Sequence, residues 1–260
     1  MASHKALILA AHGSSNTKPG NLVSHLAENI HRRNLFSEVT AGFLIEEPLL
    51  GNVIGEIKSD DIIVVPVTAA KGYVTDHLIP RAIDMASTGK SVIITEPVGT
   101  HALIAKVMAR HVDAIAAIHH LAADDTSLVI VAHGNPKHDD NARQARSVGK
   151  SVAALAAASL GSPPRVTNVF IDQEPALKEW SKLARGGNLI ILPLLIGGGR
   201  HGVDDLRGML ELPKTDPAFQ SLGDVPYLGP LDIHGRKVWC CRAVGNEPEI
   251  ADIVVERAGL

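Results

Sequence analysis

Two histidines occupy the same short motif in the two halves of the chain, and imidazoles in such positions can bind a metal ion or accept a proton. Apolar residues 7–11 lead into Ala-His-Gly at His12, and residues 128–132 lead into the same tripeptide at His133. Parallel α/β proteins bind their ligands beyond the carboxyl ends of the strands. We therefore predict that His12 and His133 are functional residues.

A carboxylate and a further imidazole follow other apolar runs of the second half. Glu174 precedes a proline, as Glu47 does in the first half, and His201 follows the glycine-rich turn 197–200. Two imidazoles and a carboxylate suit divalent iron, cobalt or nickel better than magnesium or calcium. Three protein ligands leave coordination positions open for exchange. The sequence thus predicts a metal site formed by His133, Glu174 and His201.

Both of these motifs also have simpler interpretations. The glutamate of a Glu-Pro pair can cap the start of a helix, because carboxylates are favourable there. The glycine-rich turn can hold a phosphate at a helix start. Neither of the two common nucleotide-binding glycine motifs is spelled in this turn, however, so no nucleotide is predicted.

The chemistry-bearing motifs belong to a longer internal repeat, which predicts two copies of one α/β unit. We place the boundary between residues 123 and 124, giving a first lobe over 1–123 and a second over 124–260. The matched segments are 7–15 with 128–136, 43–50 with 170–177, 62–72 with 189–199, and 97–101 with 230–234.

Eight short apolar runs are the predicted strands that position these motifs. They are rich in Val and Ile and lack clean alternation, as expected of strands that are covered on both faces. Helical patterns lie between them, so the predicted fold is α/β, with two similar lobes that each contain a four-stranded parallel sheet flanked by helices. The runs are 6–11, 38–45, 62–67, 91–95, 128–132, 165–171, 189–195 and 225–228.

Composition excludes several functional classes. The net charge is −3 and aromatic residues make up 3% of the 260 residues, which argues against a nucleic-acid partner. Cys240 and Cys241 are adjacent and provide no disulfide framework. We see no signal peptide and no apolar run long enough to span a membrane, so a cytoplasmic protein is expected.

The motifs, taken in order, resemble those of the class II tetrapyrrole chelatases. They are Ala-His-Gly-Ser, Glu-Pro-x-Leu, an apolar-Pro strand followed by a glycine-rich turn with histidine, and Pro-Leu-x-x-His. The sirohydrochlorin chelatases of cobalamin and siroheme biosynthesis are the most similar branch, and the resemblance covers essentially the whole chain, twice over. It implies a bilobed fold with a cleft between two sheets, and insertion of Co²⁺ or Fe²⁺, with Ni²⁺ as a further candidate, into sirohydrochlorin or a related tetrapyrrole without ATP.

The resemblance also implies roles for particular residues. The family's histidine after the first strand matches His133 or His12, its second histidine matches only His201, and its glutamate matches Glu174 or Glu47. The first half has Tyr73 and Val74 in place of Arg200 and His201. The working site is therefore expected in the second half.

Within such a site, Glu174 would complete the coordination of the metal or take a pyrrole proton, and His12 would accept a proton or position the ring. Guanidinium and ammonium groups suit the carboxylates of a tetrapyrrole. The predicted substrate-binding residues are Arg200, Lys137, Arg143, Gly198 and Gly199.

Two alternatives of other classes remain open at this point. A carrier of metal or tetrapyrrole would bind the same ligands without turnover. A phosphate-ester enzyme would use His12 or His133 as its nucleophile, but it would need an arginine beside the histidine, which Ala-His-Gly does not offer. The sequence leaves open whether the chain forms a homo-oligomer.

Overall fold

The computed structural model describes residues 3–13, 22–86, 89–196, 206, 208–212 and 226–260. Strands and helices alternate along these residues, and none of the helices found there is long and apolar enough to cross a membrane. The strands are β1 Ser3–Ala11, β2 Phe36–Phe43, β3 Asp61–Pro66, β4 Ser91–Ile94, β5 Thr126–Ala132, β6 Arg165–Phe170, β7 Asn188–Pro193, β8 Tyr227–Ile233 and β9 Arg236–Cys241. The α-helices are α1 Leu22–His31, α2 Leu50–Glu56, α3 Ile79–Ala86, α4 Ala102–His119, α5 Asp140–Leu160, α6 Trp180–Leu183 and α7 Glu249–Arg257.

The first sheet is the predicted four-stranded parallel sheet, in the order β2-β1-β3-β4. Its central strand β1 is apolar on both faces: Ile8 packs with Leu50 and Ile79 on one face, and Leu7 points to the other. Leu7 and Ile8 are both completely buried. Helix α1 packs against β1 and β2. Because helices cover the strands, the sequence shows apolar runs instead of alternation.

The second sheet has five strands, in the order β6-β5-β7-β9-β8, and differs from the predicted four. Strands β5, β6, β7 and β9 are parallel, whereas β8 pairs antiparallel with β9. The run predicted at 225–228 leads into this edge strand β8, and the fourth parallel strand is β9. A two-residue turn joins the two strands, with φ of 51° at His234 and 72° at Gly235, as a tight hairpin requires.

The hairpin corrects one of the repeat matches. Residues 230–234 lie in β8 and its turn, so their match with residues 97–101 is wrong. The segment that corresponds to the short 3₁₀ helix Val98–Thr100 is the 3₁₀ helix Val244–Asn246. Gly99 N–H donates to the Thr68 carbonyl at 2.9 Å, and Gly245 N–H donates to the Leu195 carbonyl at 2.9 Å. In the repeat, His101 therefore corresponds to Glu247.

The adjacent cysteines lie at the end of β9, and both are buried free thiols. Burial raises the pKa of the Cys240 thiol to about 12. The thiolate form is therefore disfavoured, and the two residues serve as small apolar groups of the core.

The chain forms two compact units that exchange a helix. The first contains the described residues up to His101 and residues 248–260. The second contains residues 102–195 and the described residues between 206 and Glu247. Helix α7 thus packs in the first unit, against α1, although it ends the second copy of the repeat. Helix α4 packs in the second unit, against α5. The repeat boundary between residues 123 and 124 stays a prediction.

Helix α7 buries an apolar face in the first unit and also forms exposed ion pairs there. Arg33 Nη1 lies 2.6 Å from Asp252 Oδ1, and His101 Nε2 lies 3.3 Å from Glu256 Oε1. The carboxylates of both pairs are mostly exposed, at 61% and 67%. Pairs of this kind contribute little to stability, because water screens them.

Helix α4 is held to the second unit by a buried network. His111 Nε2 lies 2.8 Å from Glu247 Oε1, and Arg242 donates to both carboxylate oxygens of Glu247, at 2.5 and 3.0 Å. Burial alone would raise the pKa of Glu247, but the hydrogen bonds from His111 and Arg242 outweigh it and lower this pKa to about 2. The carboxylate is thus ionised and paired where α4 meets the chain after β9.

Replacing Glu247→Gln should therefore lower the free energy of unfolding at pH 7 by roughly 2–3 kcal/mol. The folded-state pKa lies below the ordinary carboxyl value of 4.5, so the contribution is complete above about pH 4.5 and is lost as the pH falls toward 2. Urea unfolding of both proteins between pH 2 and pH 7 should show their difference shrinking over that window. The matched variant Glu256→Gln, in the exposed pair of α7, should change stability by less than about 1 kcal/mol. Equal effects of the two variants would contradict the buried network.

Candidate active site

The Ala-His-Gly motif of the second unit ends its central strand. Strand β5 pairs with β6 on one side and with β7 on the other, and all its residues are buried. His133 directly follows it and is mostly exposed, with 63% of its side chain accessible. Gly134 has φ of 77°, a left-handed conformation that lets the chain turn away at once. The buried strand thus presents one imidazole to solvent.

Asp172, which the sequence analysis did not select, contacts this imidazole. It follows β6, and its N–H donates to the His133 carbonyl at 2.9 Å. Its Oδ2 lies 3.3 Å from His133 Nδ1, and the Gly134 carbonyl oxygen also lies 3.3 Å from that nitrogen. Two acceptors favour a proton on Nδ1, which leaves the Nε2 lone pair to bind a cation. The available signal was an acid directly after a strand that neighbours β5.

Glu174 makes a capping contact, as expected from the alternative interpretation of the Glu-Pro pair. Its Oε2 accepts a hydrogen bond from Ala176 N–H at 2.9 Å, and Glu47 accepts one from Leu49 N–H at 2.9 Å in the first unit. Both glutamates thus cap the turn after their Glu-Pro pair. No hydrogen bond or ion pair joins Glu174 to His133 within the described chain. Its role as a metal ligand stays a prediction.

The first unit repeats the backbone of the site without its acid. His12 follows β1, its Nδ1 lies 3.2 Å from the Gly13 carbonyl oxygen, and Ile45 N–H donates to the His12 carbonyl at 3.2 Å. Ile45 occupies the position of Asp172 and is 51% exposed. The two copies therefore differ in the side chain next to the imidazole.

The predicted cationic residues differ in their contacts. The Arg143 guanidinium pairs with the carboxylate of Asp140 on the first turn of α5. Lys137 is exposed, and only its backbone N–H, which donates to Asn135 Oδ1 at 2.9 Å, has a hydrogen-bond partner among the residues described. Of the two side chains, Lys137 is the one whose charge is left for an anionic ligand.

The glycine-rich turn lies outside the described residues. This applies to Gly198, Gly199, Arg200 and His201. Among the residues that are described, no group of three or more His, Cys, Asp or Glu side chains could hold a metal ion. The predicted three-ligand set with His201 therefore stays a prediction.

Comparison with known proteins gives the family. The CbiX family model matches residues 6–115 and again residues 127–259. These two matches cover most of the chain and coincide with its two repeats. The chain belongs to the CbiX family.

Three relatives illustrate this likeness. A probable sirohydrochlorin cobaltochelatase of Halobacterium salinarum is 27% identical over 279 residues, covering 98% of this chain and 90% of its own. The structure of CbiX, the terminal enzyme for biosynthesis of siroheme in denitrifying bacteria, matches with a TM-score of 0.71 at 20% identity and covers 99% of this chain and 100% of its own. The structure of SirB from Bacillus subtilis with Fe³⁺ matches with a TM-score of 0.70 at 17% identity, and the match covers 98% of this chain and 94% of the SirB chain. The two structures share the fold of this chain.

The close approach of two loops beside His133 gives a test of the site's geometry. A Cβ atom at Gly134 would lie 2.7 Å from Gln173 Cβ and 2.9 Å from Phe170 Cβ. Gly134→Ala should therefore lower the free energy of unfolding by about 2–4 kcal/mol, as measured by urea unfolding. Gly161→Ala is the matched control, because Gly161 has φ of 83° with nothing near its Cβ position. It should cost only about 1–2 kcal/mol. Equal costs would show that the loops do not touch as described.

Proposed function

We propose that this chain inserts Co²⁺ or Fe²⁺ into sirohydrochlorin or a closely related tetrapyrrole without using ATP. The observation that carries the proposal is the His133–Asp172 pair, 3.3 Å apart at the carboxyl edge of the second sheet, in a member of the CbiX family. The function named for the Halobacterium relative supports the choice of substrate.

The metal ion is a substrate, so its site must bind it and release it. The Nε2 atom of His133 is the proposed first contact, because Nδ1 faces the acceptors on Asp172 and Gly134. Such an arrangement fixes the orientation and tautomer of the ring. The exposed position of His133 lets the ion exchange with solvent. We retain His201 as the second imidazole of the site.

Insertion replaces two pyrrole protons by one divalent ion, so two protons must leave the macrocycle. Carboxylates within hydrogen-bond reach of the ring can accept them. Asp172 and Glu174 both follow β6, and both are exposed. We assign the proton-accepting role to these two acids, with Asp172 also holding the imidazole. His12 remains a proposed proton acceptor of the first unit.

The carboxylates of the macrocycle need cationic partners on a protein whose net charge is −3. We assign this role to Lys137, and to Arg200 in the glycine-rich turn. Arg143 is a weaker choice, because Asp140 already balances its charge. A cytoplasmic location and a homo-oligomeric state stay predictions.

The direct test mixes the metal-free protein with sirohydrochlorin and Co²⁺ and follows the absorption spectrum of the macrocycle, against a reaction without protein. Wild type should accelerate insertion. His133→Ala should lower the rate more than about 100-fold. Asp172→Ala should lower it about 10- to 100-fold, because it loosens the imidazole while Glu174 can still accept pyrrole protons. The matched variant Ile45→Ala changes the corresponding position of the first unit and should bind cobalt as wild type does.

Two results would contradict this proposal. Wild type that binds Co²⁺ without accelerating insertion would indicate a carrier of metal or tetrapyrrole. Full activity of His133→Ala would show that His133 does not bind the metal, and His12 of the first unit would become the candidate.

A further inference from the structure

We propose that Gln173 is a positioning residue that sets the geometry of the His133–Asp172 pair. Its side-chain amide fastens the loop 134–139, which follows His133, to the segment that carries Asp172. This inference rests on the proposed function, in which that pair handles the metal ion.

Gln173 contacts the loop at both ends. Its Oε1 accepts a hydrogen bond from Asn135 N–H at 2.9 Å, and its Nε2 lies 3.4 Å from Asp139 Oδ1, to which it donates. Its Cβ also lies against the backbone of Gly134, only 2.7 Å from the position that a Cβ atom there would take. One side chain thus touches the start and the end of the segment that turns away from His133.

Two further hydrogen bonds of the loop run to side chains outside β6. Gly134 N–H donates to Asn141 Oδ1 at 3.2 Å, and Lys137 N–H donates to Asn135 Oδ1 at 2.9 Å. These bonds organise the loop against itself and against the start of α5. The Gln173 amide, by contrast, joins the loop to the segment with Asp172.

An amide fits this position better than a carboxylate does. It accepts from one partner and donates to the other, which a carboxylate cannot do. A carboxylate would face Asp139 across 3.4 Å, and like charges at that distance repel. Arg146 Nη2 donates hydrogen bonds to both carboxylate oxygens of Asp139, at 2.9 and 3.1 Å. The first unit has Glu46 at the corresponding position, in the copy that lacks the histidine–acid pair.

The proposed metal handling depends on the contacts of Gln173 because the His133–Asp172 pair is exposed. His133 and Asp172 are 63% and 55% accessible, so burial does not hold them together. The backbone hydrogen bond from Asp172 N–H to the His133 carbonyl fixes where the two residues lie, and the orientation of their side chains depends on how firmly the two loops are joined. Loss of partners that orient a metal-binding histidine typically lowers metal affinity or activity by about 10- to 100-fold.

The test is Gln173→Glu, which changes the chemistry of the side chain and keeps its shape. In the metal-free protein, backbone amides of 134–139 should exchange with deuterium several-fold faster, while those of β5 keep their wild-type rates. Co²⁺ should bind about 10-fold more weakly, and kcat for insertion should fall with little change in KM for the tetrapyrrole. The double variant Gln173→Glu with Asp139→Asn restores a donor opposite the new acceptor. It should recover most of both losses.

Glu46→Gln, the reverse substitution at the corresponding position of the first unit, is the control. It should leave Co²⁺ binding and the deuterium exchange of 134–139 unchanged. Wild-type cobalt affinity and loop exchange in Gln173→Glu would overturn the proposal. So would weaker cobalt binding that the double variant does not recover. If wild type shows no insertion at all, the proposed function fails, while cobalt affinity and loop exchange still test the role of Gln173.

Discussion

The parallel pairing of β5 with β6 is the constraint on which the candidate site depends. It continues past the strands, where Asp172 N–H donates to the His133 carbonyl at 2.9 Å. This backbone hydrogen bond places an acid beside an imidazole although both side chains are exposed. The buried apolar strands thus determine where the polar groups lie. The metal chemistry that we propose uses this edge of the sheet.

The internal repeat shows how one backbone can carry two different edges. Ile45 N–H donates to the His12 carbonyl at 3.2 Å, so the same loop contact exists in the first unit. The difference lies in the side chains, with Ile45 where the second copy has Asp172 and Glu46 where it has Gln173. We infer that the second copy is specialised for the cation, and that the first retains the scaffold and one histidine.

The apolar pattern of the sequence predicts most of the strands. It does not predict features that depend on which strands and side chains lie next to each other. Apolar runs indicate strands, so the predicted runs coincide with β1 to β7, and the repeated motifs pointed to the family. Edge strand β8 is partly exposed and β9 begins with charged residues. The predicted run 225–228 therefore covers only the start of β8, β9 is not predicted, and the match of 230–234 with 97–101 is wrong. Asp172 was missed because its significance lies in a contact with His133 across two strands. No local sequence pattern indicates that α7 packs in the first unit and α4 in the second.

A crystal of the protein soaked with Co²⁺ and measured on both sides of the cobalt absorption edge tests the central claim most directly. We expect an anomalous peak at coordination distance from His133 Nε2, with Asp172 next to the same imidazole. A peak at His12, or no peak near His133, would contradict a metal-handling site in the second copy.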